Sequence, residues 1–97
     1  MINPTLHVRI ISPQSLLLDT SAYSVSSKNS SGNFDILPMH ANFLTLVENS
    51  PIIVRPSDLT DSSNKKPLIF NLSMANIFTS NNNVNIYTNI QLPETIA

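Results

Sequence analysis

The chain has no cysteine, no tryptophan and a single glycine, Gly32, in 97 residues. Without cysteine there is no disulfide, no thiolate nucleophile and no cysteine-based zinc site. One glycine cannot build a glycine-rich loop that cradles a phosphate. Charge is scarce too. Asp, Glu, Lys and Arg make up 11% of the chain and leave a net charge of −1, against about 25% charged residues in ordinary domains. That balance supplies neither the basic footprint of a nucleic-acid binder nor a polybasic patch for an anionic membrane. Lys65 and Lys66 are the only adjacent basic pair. Uninterrupted apolar runs stop at three or four residues, too short for a membrane-spanning helix, so no direct membrane insertion is expected. The opening MINPTLHVR lacks the basic and apolar regions of a signal peptide.

What is abundant is serine and asparagine, 14 and 13 residues, together with seven prolines. The apolar fraction of 41% is enough for one folded domain. At this length a domain buries roughly 60–70% of its unfolded surface, so the core is thin.

The prolines, at 4, 13, 38, 51, 56, 67 and 93, punctuate the chain, and the segments between them alternate with period two. Leu6-His7-Val8-Arg9-Ile10 alternates strictly. Leu16–Leu18, Tyr23–Val25, Phe34–Ile36, Phe43–Val47, Ile52–Val54, Leu68–Leu72, Ile77–Thr79 and Val84–Tyr87 follow. Nine or ten short strands at such spacing predict an all-β sandwich or flattened barrel. Gly32 is expected either to hold a positive-φ turn position or to lie where a side chain cannot fit. Asn81-Asn82-Asn83 is expected to close a hairpin, because asparagine tolerates the left-handed region. Pro56 to Pro67 reads as a long polar loop. The domain is placed at residues 1–90, with residues 91–97 as a short tail.

Candidate chemistry is thin. His7 lies on the polar face of the first strand beside Arg9, an unwelcome neighbour for a cation. His40 with Asp35 and a serine would supply the residue types of a triad. Triads are recognised by geometry, however, and with 14 serines such a match carries no information. A turn histidine that fixes a loop is the better reading of His40. The carboxylates are scattered, without calcium-loop spacing. Asp58 and Asp61 share a loop and read as solvated. No cofactor and no metal are implied, and the elimination leaves binding or structure as the work of the domain.

Leu6-His7-Val8-Arg9-Ile10-Ile11-Ser12-Pro13 resembles the first strand of the epsilon subunit of F-type ATP synthases, called delta in mitochondria, which reads L-x-V-x-I-V-(S/T)-P. Gly32-Asn33-Phe34-Asp35-Ile36-Leu37-Pro38-Met39-His40-Ala41-Asn42-Phe43-Leu44-Thr45-Leu46 is similar to that family's G-x-(F/L)-G-(I/V)-L-P-G-H-A-P-L-L-T-x-L. Phe70–Thr79 and Val84–Tyr87 are similar to F-x-V-S-G-G-x-L-x-V followed by V-T-V-L.

The resemblance implies a β-sandwich of about ten strands. It also implies a non-catalytic central-stalk, or rotor, subunit that binds the gamma subunit and the c-ring and couples proton flow to ATP synthesis. Such a subunit lies peripherally on the cytoplasmic face of the bacterial plasma membrane, or on the equivalent organellar face. The ring- and gamma-facing loops would fall at Ser27–Asp35 and Pro38–Asn42, with Asn29, Ser31, Gly32, Asn33, Pro38, Met39, His40, Ala41 and Asn42 as contact residues. Met39 stands where the family has glycine, Asn42 where it has proline, Met74-Ala75 where it has a glycine pair, and Asn33 where an acidic residue is common. The chain stops at Ala97, without the family's C-terminal helical hairpin, so no hairpin-mediated inhibition is expected. It is either an excised domain or a natural short form; the Met1 start and the tag-free tail favour the latter. The alternative function is a stand-alone β-sandwich binding module that no longer joins the ATP synthase.

Overall fold

The computed structural model describes residues 4–57 and 66–88. Among them are six strands: β1 (Leu6–Ile11), β2 (Leu16–Asn29), β3 (Gly32–Ile36), β4 (Phe43–Pro56), β5 (Leu68–Ser80) and β6 (Asn83–Tyr87). The neighbours run β1-β6-β5-β4-β2-β3, and a further β1–β2 pairing closes the sheet into a barrel. Closure removes most of the exposed sheet edge that a small β domain otherwise has to protect. All pairs are antiparallel except β1–β6. The parallel pair seats β1 beside β6. Thr88 N extends that ladder by donating to the Ile11 carbonyl at 2.9 Å.

The expected fold class holds, but the strand count does not: six strands stand where nine or ten were expected. Each of the three longest strands contains two of the short segments read from sequence. The reason is a change of inward phase in mid-strand. In β4 the inward positions are Phe43, Thr45 and Val47, then Ile52 and Val54. Odd numbers give way to even at Asn49, whose φ is 51°. In β5 the inward series Leu68, Phe70, Leu72 becomes Ala75, Ile77, Thr79. Because Glu48 pairs with Met74 and Ser50 with Leu72, both strands turn over at the same level and the register survives. β2 changes phase between Ala22 and Val25, at a bulge in its pairing with β4. Bends of this kind let one strand serve both layers of a sandwich. One layer holds β3, the second halves of β2 and β4, and the first half of β5. The other holds the remaining halves with β6 and β1.

The core between the layers is aliphatic. Leu6, Val8, Ile10, Val25, Ile36, Val47, Ile52, Val54, Ile77, Val84 and Ile86 are essentially inaccessible to solvent. β-branched side chains dominate because they fit the pleated surface at little entropic cost. Phe34, Phe43 and Phe70 pack around the margin. The central part of the Pro56–Pro67 stretch, including Asp58 and Asp61, and residues 89–97 lie outside the described residues.

Candidate partner-binding surface

The glycine turn is as expected. Gly32 has φ +123°, and a Cβ placed on it would meet nothing within 4 Å. Backbone conformation, not lack of room, requires glycine there. The turn itself is built by Asn29, whose Oδ1 accepts the Ser31 N–H at 2.9 Å, while its Nδ2 donates to Thr45 Oγ1 at 2.9 Å on β4. Ser31 and Asn33 are exposed, and Asn33 lies opposite Lys28 across the hairpin.

The second loop leaves from the other end of β3. His40 N donates to the Leu37 carbonyl at 3.1 Å, closing a four-residue turn. With Pro38 second and Met39 third at φ 71°, it has the signature of a type II turn. Such a turn asks for glycine in the third place, so Met39 is held where an L side chain is disfavoured. The holding group is Asn82, whose Oδ1 accepts the Met39 N–H at 2.7 Å and whose Nδ2 lies 3.9 Å from Met39 Sδ. His40 Nδ1 donates to the Ala41 carbonyl at 2.8 Å, and its ring meets Phe43 edge-on at 5.5 Å. Phe43 in turn meets Phe34 at 5.4 Å. His40 is thus a loop-fixing residue, tied by its ring to the barrel margin. Ala41 and Asn42 are exposed.

Asn81 and Asn82 form the turn between β5 and β6 with φ 51° and 63°. Two consecutive positive-φ residues joining antiparallel strands mark a type I′ hairpin, as the asparagine run predicts. The hairpin is legible in the sequence. Its grip on the Met39 loop is not, because the two lie 43 positions apart.

A second feature was missed by sequence reasoning. The outer face of β4, β5 and β6 carries Leu44, Leu46, Met74, Phe78 and Tyr87, all exposed, with Leu44 at 70%. Leu44 pairs with Phe78, and Leu46 pairs with Asn76, which pairs with Tyr87. Met74 and Tyr87 also line a groove of about 290 Å³ with Ile11, Pro13 and Thr88. The signal was there: Phe43 to Val47 is apolar on both faces, and a strand in that state has something to cover on each side.

Elsewhere the exposed apolar residues, Leu16, Leu37, Met39 and Ile69 among them, stand amid polar pairs. Arg55 Nη1 donates to Ser26 Oγ at 3.1 Å, and Ser26 in turn donates to Asp35. His7 pairs with Asp19, which also lies 3.8 Å from Arg9 Nε. Among the described residues no three His, Asp or Glu side chains converge as a metal site would require.

The comparisons with known proteins agree with this architecture. Residues 5–90 match the family model for the ATP synthase delta/epsilon chain, beta-sandwich domain. A stretch of 54 residues is 41% identical to ATP synthase epsilon chain 2 of Paraburkholderia xenovorans (strain LB400); it covers 55% of this chain and 37% of that relative. The fold superposes on a chain of the Tetrahymena thermophila mitochondrial ATP synthase central stalk/c-ring structure with TM-score 0.69 and 12% identity, covering 88% of this chain and 63% of the other. A chain of the Euglena gracilis mitochondrial ATP synthase OSCP/F1/c-ring structure gives TM-score 0.73 at 12% identity, with 91% and 52% covered. The chain spans little more than a third of the curated relative's length. With the family model matched over nearly its whole length, the chain belongs to the ATP synthase delta/epsilon family, as its β-sandwich domain.

Proposed function

We propose that the chain is a non-catalytic component of an ATP synthase central stalk, peripheral to the membrane, that binds the gamma subunit and the c-ring. The observation that carries this reading is the apolar outer face of β4, β5 and β6. Leu44, Leu46, Met74, Phe78 and Tyr87 form a contiguous exposed patch on a chain with almost no charge to keep it soluble. A cluster of five exposed apolar residues on one sheet face marks a protein partner. Gamma is assigned to this face. The c-ring is assigned to the loops at Asn29–Asn33 and Pro38–Asn42, where turns of fixed shape present the exposed Ser31, Asn33, Met39 and Asn42. A domain whose polar groups are engaged in turns and ladders suits transmission of torque better than chemistry.

The test is reconstitution. The chain mixed with the gamma subunit of its own organism is expected to co-elute as a stable complex in size-exclusion chromatography. Separate elution at micromolar concentrations contradicts the assembly and favours the stand-alone binding module.

A further inference from the structure

Among the described residues four other than glycine take positive φ, and three of them, Met39, Asn81 and Asn82, belong to the two turns joined at one end of the barrel. Backbone states this sparsely populated persist only where the surroundings over-determine them, and they gather at clamps and binding sites. Asn82 supplies the over-determination. Its carbonyl accepts the His7 N–H at 2.8 Å, its Oδ1 accepts the Met39 N–H at 2.7 Å, and its Nδ2 reaches Met39 Sδ at 3.9 Å. One residue thus ties the start of β1, the β5–β6 hairpin and the Pro38–Asn42 loop together.

The product of this clamp is a methionine side chain that is 77% exposed, the most exposed of the large apolar residues described. Turn geometry does not call for it, since glycine would adopt φ 71° without strain. Burial does not call for it either. An unbranched, polarizable thioether fills irregular apolar gaps well, and a strained backbone fixes the direction in which it points. We propose that Met39 is a preformed apolar knob that inserts into the c-ring surface, and that Asn82 is the positioning residue that aims it. The assignment rests on the stalk reading above for the identity of the partner; the clamp itself does not.

Two readouts separate the parts. Amide hydrogen exchange on the isolated chain tests the clamp. Asn82→Gly keeps the hairpin, because glycine accepts φ 63°, and removes the side chain that holds Met39. Exchange of the Met39 amide is expected to rise about tenfold or more while core amides such as those of Ile77 and Val84 hold their protection. Asn82→Asp retains an acceptor oxygen and is expected to restore most of the protection. Unchanged exchange in Asn82→Gly overturns the clamp.

Binding to purified, detergent-solubilised c-ring tests the knob. Met39→Gly, which relaxes the turn and deletes the side chain, is expected to weaken binding about tenfold, and Met39→Leu to bind within about twofold of the unaltered chain. Asn82→Gly is expected to weaken it about fivefold, with rescue by Asn82→Asp. Equal binding by Met39→Gly and the unaltered chain overturns the knob. If the unaltered chain binds no c-ring, the stalk assignment of this loop fails and the contact role of Met39 falls with it, while the exchange result still decides the clamp.

Discussion

The main-chain N–H of Met39 donates to the side-chain Oδ1 of Asn82 at 2.7 Å, across 43 positions of sequence. Two turns that look independent in the sequence are therefore one structural unit. One is a type II turn with a methionine where glycine belongs. The other is a type I′ turn made wholly of asparagine. Neither is at its conformational optimum, and each leans on the other.

The strain at Met39 has a measurable size. A non-glycine residue in the left-handed region costs about 1–2 kcal/mol, offset in part by the extra backbone entropy that glycine loses on folding. Met39→Gly is expected to raise stability by about 0.5–1 kcal/mol and the melting temperature by several degrees. Met39→Val, β-branched at φ 71°, is expected to lower both. Thermal unfolding followed by circular dichroism decides, and a lower melting temperature for Met39→Gly contradicts the strain.

Gly32 makes the complementary case. Its Cβ position is empty space, so substitution there costs only what φ +123° imposes. Gly32→Ala is expected to destabilise by about 1–3 kcal/mol, and Gly32→Val by somewhat more because its χ1 is stiff. Chemical denaturation measures both. A Gly32→Val variant as stable as the parent would show that the turn relaxes to negative φ.

Inside the barrel, Thr79 Oγ1 is fully buried and has no hydrogen-bond partner among the described residues. An orphaned buried hydroxyl costs about 1–3 kcal/mol, and valine has nearly the same shape. Thr79→Val is expected to raise the urea midpoint at constant m-value, by about 1 kcal/mol in stability. Thr79→Ser keeps the orphan and loses a methyl group, so it is expected to lower stability by about 1 kcal/mol. A less stable Thr79→Val protein would mean that the hydroxyl is satisfied in solution.

Local chemistry was legible in the sequence; long-range geometry was not. The Gly32 turn and the Asn81-Asn82 hairpin follow from which residues tolerate positive φ, and both were readable. His40 was readable as a turn residue because nothing in sequence gave it chemical partners. The alternating segments announced an all-β fold, yet they overcounted its strands. A phase change at Asn49 or between Leu72 and Ala75 reads as a strand end when the pairing that continues through it is invisible. The same phase change hid the apolar face. In Phe43–Val47 both faces are apolar, and only the structure shows that Thr45 points inward and Leu44 and Leu46 outward. His7 meeting Asp19 and Asn82 meeting Met39 depend on register and on closure of the barrel, which no local pattern encodes.

The apolar face of β4, β5 and β6 can be altered without disturbing the core. Leu44 is 70% exposed and contributes little to the core, so Leu44→Glu is expected to leave the melting temperature within about 2 °C of the parent. The deciding measurement is titration calorimetry of the chain with its gamma subunit. The unaltered chain is expected to bind with a Kd of about 1 μM or tighter, and Leu44→Glu at least about tenfold more weakly, since a charge would be buried at the centre of the contact. Equal affinity for the two chains, or no binding by the unaltered chain at tens of micromolar, contradicts the assignment of this face to gamma.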